Sequence, residues 1–231
     1  MPRKPRFYLP GQPAHVIQRG NCRLAVFFCD DDYRAYLHWL SGGVSKYGCR
    51  IHAYVLMTNH VHLLVTPESK DSISRTIQHV GRHYVSYVNR KYGKSGTLWE
   101  GRHKGCTLAS DGYFLRCMRY IEMNPVRAHM VERPEQYPWS SFKSNASGKS
   151  DELITHHKSY AELSATDQLR GEAYRALFDT VMVPEEIDEI RSAVQTGTPL
   201  GNDRFRAQIE QTLNCSVGQA RRGRPRKPDV R

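Results

Sequence analysis

The segment IHAYVLMTNHVHLLV, residues 51–65, holds two apolar runs that are rich in β-branched residues and are separated by a polar turn. Such runs predict two adjacent strands, over residues 51–57 and 61–65. Side chains two apart in a strand point to the same face, so His60 and His62 are predicted to lie side by side while their alternate neighbours face the core. Two imidazoles presented in this way can share a divalent metal ion, although packed or surface histidines have the same spacing.

The elements on either side of this segment follow from apolar periodicity. For example, Ile73, Ile77, Val80 and Tyr84 recur at helical spacing. The predicted order is two short strands, a helix, two strands, a helix, an extended segment and a helix, over residues 15–19, 24–29, 30–46, 51–57, 61–65, 71–92, 98–108 and 111–123. This order is typical of an α+β split βαβ layout, and we expect an antiparallel sheet with helices on one face.

Charge divides the 231 residues into three parts. Lys and Arg exceed Asp and Glu by 11 in residues 1–144, acidic residues are in excess by 5 in residues 145–215, and basic residues by 5 in residues 216–231. We predict a basic domain, an acidic helical accessory region and a disordered basic tail. The basic domain indicates a polyanion as partner, with DNA or RNA as the default, or else simply a basic protein without one.

Composition excludes several classes of protein. No apolar run approaches the ~18 residues that span a bilayer, and no apolar segment follows the basic N-terminus as in a secretory signal. The six cysteines form no CxxC pair, which argues against a structural zinc site. We therefore expect a cytoplasmic protein with reduced cysteines and no membrane partner.

The segment RYIEMNPVR, residues 119–127, is predicted to end a helix that Pro125 stops or kinks. Tyr120 and Asn124 are four residues apart and share one helix face. The apolar stripe of that helix instead runs through Phe114, Met118 and Ile121. Tyr120 is therefore expected off the core stripe, where its phenol and the amide oxygen of Asn124 are presented together. For Tyr120 taken alone, the alternative interpretation is a residue that only packs in the core.

Taken together, these two segments resemble the REP-associated tyrosine transposases, which are single-tyrosine transposases of the HUH endonuclease superfamily. The resemblance covers roughly residues 2–142. It includes four further segments, namely QRGN at 18–21, YVLM at 54–57, LWEGR at 98–102 and YPWSS at 137–141.

The resemblance implies a ferredoxin-like catalytic domain that cleaves single-stranded DNA beside the imperfect hairpins of repetitive extragenic palindromes. Tyr120 would form a 5′-phosphotyrosine link and leave a free 3′-hydroxyl. His60 and His62, with Asn124 as third ligand, would hold Mg²⁺ or Mn²⁺, whereas imidazole ligands alone favour Zn, Fe or Ni. A nucleoid-associated protein is expected, as a monomer or a homodimer.

Several basic side chains are predicted to contact DNA: Arg19, Arg75, Arg82, Arg102, Lys104, Arg222 and Arg224. Trp99 is predicted to stack on an unpaired base. The tail segment around Arg222 and Arg224 resembles an AT-hook, with a plain electrostatic tail as the alternative.

Two other functions stay open. The first is a hairpin-binding protein that derives from a transposase and has lost catalysis, although His60, His62 and Tyr120 are all present. The second is an RNA-binding module, which would require exposed aromatic residues on central strands. Tyr54 and Phe27 are the candidates for that role.

Overall fold

A computed structural model describes residues 6–109 and 112–217, in which four strands form one antiparallel sheet. The strands are β1 (Ala14–Arg19), β2 (Cys49–Met57), β3 (His60–Pro67) and β4 (Lys104–Thr107). Their order across the sheet is β2-β3-β1-β4, and every neighbouring pair is antiparallel. The predicted α+β, ferredoxin-like class is confirmed.

The helices follow the predicted order, and several short ones were not predicted. They are α1 (Asp30–Tyr47), α2 (Ser72–Lys91), α3 (Tyr113–Glu122), α4 (Asn124–Arg127), α5 (Phe142–Ser147), α6 (Lys158–Ala161), α7 (Asp167–Ala176), α8 (Pro184–Thr196) and α9 (Asp203–Leu213). Three acidic residues in the first turn of α1 favour its start, and Gly48 ends it at φ +66°, in the left-handed region. Among the described residues, no helix is both long enough and apolar enough to cross a bilayer.

The hairpin of β2 and β3 sets the two faces of the sheet. Thr58 and Asn59 form its turn, since Met57 pairs with His60. Val61 and its alternate neighbours pack against α1 and α2 in one hydrophobic cluster. Leu64 belongs to a second cluster with α3, α5, α7 and α8. The expectation of helices on one face is therefore wrong, because α3 and the C-terminal helices α5, α7 and α8 cover the other face.

Residues 24–29 do not form the predicted strand. Cys22 and Arg23 both have positive φ, which turns the chain out of the sheet directly after β1. Val26 is then buried, and its amide bonds to the carbonyl of Thr58 at 2.9 Å instead of joining a ladder. The apolar run at this position thus covers the hairpin end.

The region after residue 144 packs on the second face and along both edge strands. At the β4 edge, Leu200 donates its amide to the carbonyl of Thr107 at 2.8 Å. At the β2 edge, the amide of Thr155 bonds to the carbonyl of Ile51 at 2.7 Å. The division after residue 144 stays a prediction, and the tail beyond 217, with Arg222 and Arg224, lies outside the described residues.

Glu122 joins α3 to the C-terminal helices from a fully buried position. Its carboxylate accepts hydrogen bonds from Ser141 Oγ at 2.5 Å, Asn145 Nδ2 at 2.8 Å and Tyr174 Oη at 2.7 Å. Burial raises the pKa of Glu122 to about 7, against the opposing effect of these three donors. These three hydrogen bonds fix the end of α3 that carries Tyr120.

Glu122→Gln is expected to remove a pH dependence of stability. The folded protein holds the Glu122 proton more tightly than the unfolded chain, whose pKa is near 4.5, so the unfolding free energy falls as pH rises from there to about 7. The loss amounts to about 3 kcal/mol at most. Urea titrations across this range should show a smaller decline in the variant. The exposed Glu132→Gln should follow wild type, and a Glu122→Gln curve parallel to wild type would refute the assignment.

Candidate active site

The two histidines of β3 lie side by side, as the strand period predicts. Their ring centroids are 5.0 Å apart. His62 is buried and His60 partly buried, and both line one cavity of about 360 Å³. The same cavity is lined by Tyr120 and Asn124, so the four predicted catalytic and metal-binding residues meet at one place.

A third histidine, His15 on β1, belongs to this cluster and was missed by the sequence analysis. Its Nε2 lies 2.8 Å from Nδ1 of His62, and the two rings stack with centroids 5.1 Å apart. His15 is fully buried, and its Nδ1 has no hydrogen-bond partner among the described residues. Only the register of β1 against β3, in which Ile17 faces His62, could have revealed the contact.

Both histidines of β3 are held as neutral imidazoles. Burial lowers the pKa of His60 to about 4, with a further contribution from the charge of Arg19. Burial also takes the pKa of His62 well below its usual value, and His15 adds to the effect. Nδ1 of His60 lies 2.6 Å from Oδ1 of Asn59 and donates to it, which leaves Nε2 with its lone pair. Neutral imidazole is the form that binds metals.

Tyr120 lies among the histidines rather than on an open helix face. Its ring centroid is 5.7 Å from that of His15 and 5.9 Å from that of His62, both in edge-on contact. The side chain is 4% exposed, so the expectation that it lies off the core is wrong. The reason is that the ring packs against the sheet, on the histidines of β1 and β3, while α8 lines the same cavity.

The break between α3 and α4 places Asn124 and Arg127 around Tyr120. Asn124 Nδ2 donates to the carbonyls of Tyr120, at 3.0 Å, and Ile121, at 3.1 Å, so its Oδ1 is left for another partner. Arg127 donates to the same Tyr120 carbonyl at 2.6 Å, and its guanidinium lies 4.4 Å from the Tyr120 ring centroid. Burial lowers the pKa of Arg127 to about 10, so this group stays charged at neutral pH.

The donors around the cavity fit a divalent metal ion. They comprise two neutral imidazoles, each with Nδ1 already engaged, and the Oδ1 of Asn124. Within the described residues no group of three His, Cys, Asp or Glu side chains forms a metal site. A site built from His60, His62 and Asn124 would therefore keep coordination positions for water or substrate oxygens.

Three of the predicted DNA contacts meet in a larger groove of about 930 Å³. Arg75 and Arg82 on α2 line it together with Arg102. Trp99 also borders it, but its ring is buried with Tyr36 and Tyr84, so the predicted stacking on a base is wrong.

The two remaining predicted contacts within the described residues lie elsewhere. Arg19 lines the cavity of Tyr120. Lys104 donates to Oε1 of Gln195 on α8 at 2.5 Å. The contacts of all these residues with DNA stay predictions.

Part of the chain is similar to a known protein family. The sequence model of the IS200-like transposases matches residues 11–124, a segment that runs from before β1 to Asn124 and contains every residue of the cluster. Residues 11–124, slightly less than half of the chain, are similar to the IS200-like transposases. None of the curated protein sequences matches the chain.

Two solved structures are similar to parts of this chain. A REP-associated tyrosine transposase bound to a REP hairpin is 19% identical, with a TM-score of 0.54, over 68% of this chain and 93% of that one. A Deinococcus radiodurans protein assigned as a transposase is 23% identical, with a TM-score of 0.37, over 52% of this chain and 95% of that one. The first likeness shows the fold.

Proposed function

We propose that the protein is a transposase that nicks and rejoins single-stranded DNA beside a hairpin, with Tyr120 as the nucleophile. The observation that carries the proposal is the position of the Tyr120 ring, which lies within 6 Å of two histidine rings in a cavity that His60 and Asn124 also line. A tyrosine that only packs in the core does not need to lie beside candidate metal ligands.

The chemistry balances with the groups present. Tyr120 Oη forms a bond to the phosphorus while the bond to the 3′-oxygen breaks, so the 5′ side stays on the tyrosine and the other strand ends in a 3′-hydroxyl. The phenol loses its proton, and the leaving oxygen gains one. Attack by a 3′-hydroxyl reverses both changes and rejoins a strand, which hydrolysis would not allow.

The proposed metal ligands are His60, His62 and Asn124, and Mg²⁺ or Mn²⁺ is the proposed ion. When bound, such an ion polarises the phosphoryl oxygens and stabilises the oxygen that leaves. We assign His15 as a positioning residue: when it accepts from Nδ1 of His62, it leaves the Nε2 lone pair toward the ligand site.

The test is a nicking assay with a labelled single-stranded hairpin taken from DNA that flanks the gene. With Mn²⁺ or Mg²⁺, we expect a labelled product that stays attached to the protein in denaturing gels and is absent with a chelator. Tight hairpin binding without cleavage under either metal would instead support the non-catalytic hairpin-binding protein. The RNA-binding alternative loses its candidates, because Tyr54 and Phe27 are both buried.

We further propose that the groove of Arg75, Arg82 and Arg102 holds the hairpin backbone. Arg82→Gln is expected to weaken hairpin binding by about fivefold and to lower the slope of log Kd against log salt by about 0.9, the value for one duplex phosphate contact. Fluorescence anisotropy over a salt series measures both. Arg90→Gln, on the same helix but outside the groove, is the control, and equal slopes for the two variants would contradict this placement.

A further inference from the structure

Helix α8 contributes part of the lining of the catalytic cavity. Arg191 and Gln195 line the same cavity as Tyr120 and His62. This helix lies beyond the segment that the IS200-like model matches, which ends at residue 124. The cavity is therefore completed by a part of the chain that the family match does not include.

The N-terminal half of α8 is fixed to the helix that carries the tyrosine. Arg116 on α3, one turn before Tyr120, lies 3.2 Å from Oε1 of Glu186 and 4.0 Å from Oε2 of Glu189. These side chains are about one-third exposed, so the pairs add orientation more than stability. These two ion pairs link one face of α8 to α3.

The C-terminal half of α8 is fixed to the sheet. Ile190 and Val194 are buried in the second hydrophobic cluster, and Lys104 of β4 donates to Gln195. Just after the helix, Leu200 exchanges backbone hydrogen bonds with the chain at the end of β4. An α8 held at both ends places the backbone of Arg191 beside the cavity, which the Arg191 side chain lines.

Positive charge gathers at the cavity. Arg19, Arg127 and Arg191 line it, and no carboxylate of the described residues does. The partner of Arg191, Asp188, lies 3.5 Å away with its side chain 76% exposed, and such a surface pair is weak enough for an anion to replace. Three guanidinium groups around one cavity repel one another until a polyanion enters, and guanidinium suits phosphate oxygens.

We propose that Arg191 is a phosphate-binding residue of the catalytic cavity, where it holds the DNA backbone next to the phosphodiester that Tyr120 attacks. The C-terminal region thereby forms part of the substrate site. The inference rests on the proposed function for the identity of the ligand. Its opposite is that α8 obstructs the cavity, in which case removing the charge would help DNA to enter.

The experiment uses full-length protein in a Tyr120→Phe background, so that no strand is cut, with a chelator present. A labelled single-stranded oligonucleotide without a hairpin is titrated over a salt series. We expect Arg191→Gln to raise Kd about fivefold and to lower the slope of log Kd against log salt by about 0.7, the value for one single-strand phosphate. Arg191→Lys should restore most of the slope. Arg204→Gln, an exposed arginine on α9 outside the cavity, is the matched control.

Two results would overturn the inference. One is a Kd and slope for Arg191→Gln that equal those of the parent and of Arg204→Gln. The other is tighter binding by Arg191→Gln, with faster nicking when Tyr120 is intact, which would show that α8 obstructs the cavity. If wild type never nicks DNA, the proposed function fails, while the binding titration still decides the role of Arg191.

Discussion

Replacing Tyr120 by phenylalanine is expected to abolish the covalent DNA–protein product and to slow nicking on the order of 10⁴-fold or more, since the nucleophile itself is removed. The fold should not suffer, because the ring that contacts His15 and His62 stays in place. Gel analysis of labelled hairpin DNA measures the product, and urea titration should show an unfolding free energy within about 0.5 kcal/mol of wild type.

The control for this prediction is Tyr113→Phe, at the other end of the same helix and outside the cavity. It should nick DNA like wild type. A Tyr120→Phe protein that still forms the covalent product would move the nucleophile to another residue, whereas loss of hairpin binding together with nicking would assign Tyr120 to DNA binding.

Replacing His62 by alanine is expected to weaken Mn²⁺ binding by at least about 100-fold and to abolish metal-dependent nicking, because one of two imidazole ligands is lost. Electron paramagnetic resonance of free Mn²⁺ measures binding without DNA. The exposed His38→Ala should bind Mn²⁺ like wild type, and circular dichroism should confirm that the buried substitution at His62 leaves the protein folded.

A second variant, at His15, is expected to have a smaller effect on Mn²⁺ binding. His15→Leu keeps both ligands of β3 but removes the acceptor 2.8 Å from His62 Nδ1, so Mn²⁺ affinity should fall by about 10-fold, less than in His62→Ala. Equal Mn²⁺ binding by wild type and His62→Ala would place the metal elsewhere and would leave β3 with a packing role.

The local parts of the fold could be predicted because their signals are local. The hairpin of β2 and β3 follows from β-branched residues around a two-residue turn, and α2 follows from one apolar stripe. The run at residues 24–29 has the same composition as a strand, yet positive φ at Cys22 and Arg23 redirects it, and no pattern in the run itself reveals this.

The parts of the site that sequence reasoning missed depend on contacts between distant segments. The partnership of His15 with His62 requires the register of β1 against β3, which a single strand does not encode. The burial of Tyr120 depends on β1 and β3, whose histidines its ring contacts, and α8, which begins 64 residues later at Pro184, lines the same cavity. Helical periodicity within α3 shows only the apolar stripe, so it does not reveal that a residue beside the stripe meets buried histidines of the sheet.

The bonds that the C-terminal region makes to β2 and β4 also bear on how copies of this chain can associate. A sheet with free outer strands offers unpaired amides and carbonyls as a template for another chain, which leads to strand-swapped assemblies or aggregates. Here the carbonyl of Ile51 is already paired with Thr155, and the backbone beside Thr107 is paired with Leu200. Self-association that extends the sheet is therefore disfavoured at these positions, and a shortened chain that ends near residue 144 would expose both borders to solvent and to one another.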